Sequence, residues 1–169
     1  MKLSELAEKA STNRLYRRFL SYQLNRVVPF NAPHRLKVAH ISNHSLTLYL
    51  PYRRRNRNHL KGIHACAMAT IAEATSGFLL ISRLDPRQFR LILQSLNMDY
   101  QYQAKTAVKA TFDFDQDWWQ QNVLAPLKKE SKVVVPCTVR IDDMLKNQVA
   151  TGTAHWQIKD WQQVKSGRP

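Results

Sequence analysis

Carboxylates are scarce in this chain of 169 residues: 12 Asp and Glu stand against 26 Lys and Arg, leaving a formal net charge of +14. A surface so poor in negative charge attracts polyanions, whether nucleic acid, anionic lipid or phosphorylated small molecules, and composition does not choose among them. Cysteine is rarer still. Cys66 and Cys137 both lie in apolar segments, which argues against a disulfide framework and reads as two buried, reduced thiols. His34, His40, His44, His59 and His155 lack ligand spacing and carboxylate company, so no metal site and no cofactor is expected. The start, MKLSELAEKA, has no continuous apolar core followed by a small-residue cleavage site. That argues against a secretory signal and makes a cytoplasmic location the expectation. No internal repeat or low-complexity block occurs, and 44% hydrophobic with 22% charged residues excludes a disordered chain. One domain of this length closes a real core.

Long apolar runs are absent too, with one exception. From Gly62 to Ile81, GIHACAMATIAEATSGFLLI carries a single carboxylate, Glu73. A run rich in Ala, Ile, Leu, Phe and Met reads as a helix apolar on nearly all sides, and therefore buried. Its length is within reach of a membrane span. Against that, Glu73 near the middle is penalised in lipid, and strand-like segments flank the run as they do around a core helix. An ionised carboxylate in a protein core is costly unless a partner or a shifted pKa relieves it. Glu73 is thus the first functional candidate, with a structural carboxylate bonded to a nearby N–H or Arg as the plainer reading.

Residues 3–25 read as helical in two pieces around Ser11-Thr12-Asn13, which offers a cap for the second. Tyr16, Phe19, Leu20 and Leu24 form an apolar stripe that packs on the body of the protein, with Arg14, Arg17, Arg18 and Arg26 mostly off it. Binding to a membrane surface is the weaker reading of the same helix. From Leu36 the pattern changes to strands. Leu36, Val38 and Ile41 form the first, and Leu46, Leu48 and Leu50 alternate with Thr47 and Tyr49 after an Asn43-His44 turn. A long strand-like region, Phe89 to Gln103, places Tyr100 and Tyr102 on one face, and Val108, Ala110 and Phe112 follow. Asp115 or Asp117 caps a short helix bearing Trp118 and Trp119, interrupted near Pro126. The last two strands, Lys132–Ile141 and Gln148–Ile158, flank DDMLKN. The order predicts an α+β architecture, an antiparallel sheet wrapped around one long central helix, because a helix buried on all sides needs a wrapping partner. A doubly wound fold would need crossover helices that this chain lacks.

Ahead of the helix, NRNHLKGIH places Asn58 in a loop, Gly62 at a tight entry and His64 at the first turn. Nine residues separate His64 from Glu73, about 2.5 turns and roughly 13–14 Å of rise. The two face opposite ways, too far apart to share a site within one chain. Either they are unrelated, or a two-fold partner brings one chain's helix start to the other's Glu73.

Asn58, Gly62-Ile63-His64 and Glu73, with the hairpin KVVVPCTVRIDD and QVATGTAHWQIK, resemble the signature and layout of hotdog-fold thioesterases. The likeness is to an uncharacterised subgroup of the phenylacetate-pathway (PaaI-like) branch, over roughly residues 34–158. With the helices and the frayed end read above, the chain divides into an N-terminal helical extension over 1–30, a hotdog domain over 31–160 and a flexible tail over 161–169. The resemblance further implies a homodimer or dimer of dimers that hydrolyses an acyl-CoA or other acyl thioester. Glu73 would be base or nucleophile, Asn58 would orient the water or the carboxylate, and His64 would bond the carbonyl or fix the loop. The N–H of Ala65 at the helix start would serve as oxyanion donor. Gly62, Arg55, Arg57 and Lys61 are the implied substrate-binding residues. With Arg53 and Arg54 they form a basic cluster suited to the phosphates of coenzyme A, a solvated loop being the alternative.

The chain departs from the family where its two glycines after the histidine become Ala65 and Cys66, which leave less room beside the backbone. A non-catalytic acyl-binding protein of the same fold is the alternative that this departure favours. Cys66 reads as a packing residue rather than a nucleophile, and Ser95 is a candidate for the family's later Ser or Thr. Stacking on nucleic acid by Trp118, Trp119, Trp156 and Trp161 is disfavoured, since no recognition motif accompanies them.

Overall fold

The computed structural model describes residues 3–164 of the chain. Two helices come first, α1 (Leu3–Thr12) and α2 (Arg14–Val27). They part at Asn13, whose side-chain oxygen accepts the Leu15 N–H at 2.8 Å and so caps α2. A 3₁₀ turn, Pro29–Asn31, follows.

Six strands form one antiparallel sheet: β1 (Lys37–Ile41), β2 (Ser45–Leu50), β3 (Phe89–Tyr100), β4 (Val108–Asp113), β5 (Lys132–Asp143) and β6 (Gln148–Asp160). Their spatial order is β1-β2-β4-β5-β6-β3. The long helix α3 (Ala65–Arg83) packs against β2, β3, β4, β5 and β6, so the sheet wraps it. By length and composition α3 could cross a membrane, yet 67% of that window is buried inside the protein. It is the core helix.

Alternation drives this arrangement. On β2, Leu46, Leu48 and Leu50 are fully buried while Ser45, Thr47 and Tyr49 are half-exposed. Burying each such leucine contributes about 1.5–3 kcal/mol. The helix comes close to the sheet where side chains are small. A Cβ on Gly77 would lie 2.5 Å from the Trp156 ring, whose Nε1 donates to Ser76 Oγ at 2.9 Å. The buried hydroxyls of Thr75 and Ser82 donate to Ile71 and Leu79 carbonyls of the same helix, so the core carries them without orphaned polar atoms.

α2 lies on β1. Ser21 Oγ accepts the Val38 N–H, and the Asn25 amide bonds both the N–H and the carbonyl of Leu36. Leu20 and Leu24 are buried, but Phe19, expected in the packed stripe, is 44% exposed. It stands about 100° around the helix from Leu20, beyond the contact edge.

Other expectations also shift. β3 ends at Tyr100, because the N–H groups of Gln101 and Tyr102 both donate to the Val149 carbonyl and close the ladder. Tyr102 therefore lies past the strand. Asp115, not Asp117, caps the inserted helix, accepting the Trp118 N–H at 2.7 Å. That insertion runs as α4 (Gln116–Trp119), a π-helical turn (Gln120–Leu124) and α5 (Ala125–Glu130). The wider turn immediately precedes Pro126, which has no N–H to continue the ladder. Trp118 and Trp119 stack on Phe114 with ring centroids 5.3 and 5.2 Å away, a packing role. Trp161–Gln163 form a 3₁₀ turn held by Trp161 Nε1 on the Pro86 carbonyl. The ends of the expected extension and tail, residues 1–2 and 165–169, lie outside the described residues.

Candidate active site

The loop into α3 is built on an asparagine that the sequence reading passed over. Asn56 is fully buried: its amide donates to the carbonyls of Pro51 and His34, its Oδ1 meets His34 Nδ1 at 3.0 Å, and its own carbonyl accepts the His64 N–H. Asn58 closes a smaller ring. Its Oδ1 accepts the Gly62 N–H at 3.0 Å while its N–H donates to the Gly62 carbonyl. The left-handed backbone falls at Lys61 (φ 60°), and Gly62 instead admits Gln103, whose side chain would lie 2.8 Å from a Cβ there. The tight entry is thus a matter of close approach and not of turn geometry.

His64 is the N-cap of α3. Its Nδ1 accepts the Cys66 N–H at 3.0 Å, which requires Nδ1 unprotonated and leaves the proton on Nε2 in the neutral ring. The Ala67 and Met68 N–H groups reach the His64 carbonyl. Ala65, at the first helical position, has no intrahelical acceptor for its own N–H. The helix start therefore presents two donors, the Ala65 N–H and the His64 Nε2–H, on an exposed surface.

Cys66 is exposed there, contrary to the expectation of a buried thiol, because burial on α3 begins only at Ala67. Cys137, on β5, is buried as expected, and burial pushes its thiol up to about 12. Tyr100, from the end of β3, donates its hydroxyl to the Ala65 carbonyl at 3.0 Å. Burial first and the Cys66 sulfur second raise the Tyr100 pKa. In the sequence it stands out only as sharing a strand face with Tyr102.

Glu73 lies two turns further along α3, half-buried, with no hydrogen bond or ion pair to its carboxylate among the described residues. Burial raises its pKa above 4.5. It borders a cavity of about 490 Å³ walled by Leu24, Val28, Phe78, Leu91 and Trp156, with Arg90 also in its lining, a size and mostly apolar character suited to a small apolar ligand. A larger cavity of about 810 Å³, between α1 and the Ser42-Asn43 turn, has polar walls and only exposed carboxylates. The chemistry points to the smaller one.

About 12 Å of axial rise separates Ala65 from Glu73 on the continuous helix. One chain does not bring them together. Of the basic residues, Arg54 and Arg55 are exposed on a 3₁₀ turn, and Arg57 lies over the Tyr52 ring at 5.0 Å. The Tyr52 hydroxyl in turn donates to the Lys61 carbonyl. Ser95, on β3, hydrogen-bonds His155 at 3.1 Å, away from both.

A six-stranded antiparallel sheet wrapped around one long helix, with a loop-fed helix start and an acid midway along it, defines a hotdog-fold protein. The chain belongs to the family described as Domain of unknown function (DUF4442), which matches residues 16–158. Among curated proteins no match is found. Solved structures share the fold. A protein of unknown function from Pseudomonas aeruginosa is 19% identical with a TM-score of 0.76, covering 83% of this chain and 93% of its own. A mutant thioesterase from Staphylococcus aureus is 14% identical with a TM-score of 0.64, covering 78% and 99%. A thioesterase from Haemophilus influenzae is 9% identical with a TM-score of 0.64, covering 82% and 90%. At such identities the likeness is one of fold.

Proposed function

We propose that the protein hydrolyses an acyl thioester, such as an acyl-CoA, at a site shared between two copies of the chain. The observation that carries this reading is Glu73: a carboxylate unpaired among the described residues, with a raised pKa, beside a mostly apolar cavity, on a fold that named thioesterases share. Its complement on the partner is the helix start. The Ala65 N–H and His64 Nε2–H would hold the thioester oxygen as negative charge develops on it, helped by the positive end of α3. The Glu73 carboxylate takes a proton from water, whose oxygen attacks the carbonyl carbon. The tetrahedral intermediate collapses, the C–S bond breaks, and the proton held by Glu73 passes to the departing thiolate. The Asn58 side-chain amide, whose hydrogens meet no partner among the described residues, is suited to orient that water. Arg55, Arg57 and Lys61 flank the loop as partners for the phosphates of a coenzyme A carrier, and Gly62 keeps the approach narrow.

The pairing edge is β3, a terminal strand of 12 residues bonded only to β6. Such an edge is a template for a second copy. Purified protein is expected to release free thiol from some members of an acyl-CoA panel, and Glu73→Gln to abolish release while circular dichroism is unchanged. Undiminished release by that variant removes Glu73 from the reaction.

A second reading has its own observation. The Cys66 N–H is already occupied by His64, and side chains stand where the family resemblance has two glycines. A non-catalytic acyl-binding protein fits those facts. Thermal stabilisation by acyl-CoA without thiol release across the panel would favour it.

A further inference from the structure

Between Glu8 and Glu73 the sequence holds no Asp or Glu and twelve Lys and Arg. Within that stretch, α2 carries an exposed arc. Along α2, Leu15, Phe19, Tyr22 and Arg26 recur at spacings of four, three and four, within an arc of about 60°. That arc points away from the buried Leu20 and Leu24. Leu15 is 72% exposed and Tyr22 56%. The chain then continues through Val27 and Phe30, 74% and 69% exposed. Large apolar side chains so exposed, clustered on one element, mark an interaction surface.

Beside them, Tyr22, Arg26, Arg35 and Lys37 line one groove of about 550 Å³ between α2 and β1. No acid lines it, and none of its three cations has an ion pair among the described residues. Three cations gathered without a counter-charge suit an anion from outside. The Phe30 ring contacts His34 at 5.7 Å, and His34 is bonded to Asn56, the last residue of the Arg54–Asn56 turn.

We propose that this face docks on an anionic phospholipid surface. The groove takes a headgroup phosphate, while Leu15, Phe19, Val27 and Phe30 enter the headgroup–acyl boundary. Charge and exposed apolar residues on the same side of one helix select a lipid surface over a nucleic acid, which would leave the aliphatic Leu15 and Val27 without a use. Leu24 and Val28 of the same segment wall the Glu73 cavity, but the docking does not rest on the chemistry proposed for that site.

The test is co-sedimentation of the full chain with vesicles of phosphatidylcholine, with and without phosphatidylglycerol. Binding is expected only to the anionic vesicles, weakening as salt rises. The triple variant Arg26→Gln/Arg35→Gln/Lys37→Gln should bind roughly 100-fold more weakly, about fivefold per cation removed. Leu15→Ser/Phe30→Ser should lose at least about tenfold. Lys128→Gln/Lys129→Gln/Lys132→Gln removes the same charge from exposed positions elsewhere and should bind like the unaltered chain. Equal loss in the two triple variants would reduce the effect to net charge and overturn the proposal. So would absence of binding to anionic vesicles, including the case where a single-stranded RNA binds instead through the same three cations. A change in solution mass on Leu15→Ser/Phe30→Ser would make the face a contact between copies, which also overturns it.

Discussion

Glu73 shares its cavity with Phe78, Leu91, Trp156 and Arg90 but has no hydrogen bond or ion pair to its carboxylate among the described residues, so burial destabilises its charged form. A carboxyl whose folded pKa is raised binds more protons in the native state than in the unfolded one. Its contribution to stability is complete below about 4.5, the unfolded value, and is lost as pH rises through the folded value. Glu73→Gln removes that loss. Its melting temperature is expected above that of the unaltered protein at pH 7.5, with the difference closing below about pH 4.5. Thiol release should follow the opposite course, rising with pH as the carboxylate ionises. A Gln variant that is both inactive and no more stable at neutral pH would mean that a partner group already neutralises Glu73. Residues like this are legible from a sequence because a lone charge in an apolar run stands out. Asn56 is not, since nothing in NRN distinguishes an asparagine whose amide meets three groups from one that closes a small loop two positions later. Cys66 misled for a related reason: composition makes the run apolar, but only tertiary packing decides which turn the sheet leaves uncovered.

At the scale of elements, close contact between α3 and β6 depends on Gly77. Alanine there improves helix propensity by about 1 kcal/mol. Its Cβ would stand 2.5 Å from the Trp156 ring, and such overpacking costs about 1–3 kcal/mol. The ring is held by its bond to Ser76 and cannot retreat cheaply. Gly77→Ala is therefore expected to lower stability in urea unfolding, and a gain would show that Trp156 is free to move. The β5–β6 turn depends on Asp143, whose carboxylate accepts the N–H groups of Leu145 and Asn147 and the Asn147 side-chain amide. Asp143→Ala should cost about 1–2 kcal/mol, while Asp143→Asn, which keeps one acceptor, should cost less. The elements themselves were largely legible, because period-two alternation on β2, the Asn13 cap and the lone apolar helix are local signals. Their limits were less so. The end of β3 is set by two N–H groups turning to Val149, a contact between segments distant in the sequence, and the widening of the helix at Gln120–Leu124 leaves no mark in the apolar period.

For the whole molecule, the separation along α3 makes the strongest demand. An oxyanion site at Ala65 and an acid at Glu73, about 12 Å apart along one axis, act on the same carbonyl only if two chains contribute. Each site of a two-fold dimer would then take its helix start from one copy and its acid from the other. This separates the two-chain reading from any single-chain one by complementation. Glu73→Gln disables the acid, and Ala65→Phe, at an exposed position, crowds the oxyanion donor. Each homodimer is expected to be inactive. Refolded together in equal amounts, half of the dimers are mixed, and in every mixed dimer one site carries both substitutions while the other carries neither. The mixture should therefore recover about one quarter of the unaltered activity per chain. A site within one chain has no intact copy in any such mixture, so persistent inactivity in a verified mixed dimer would move the chemistry back inside the protomer.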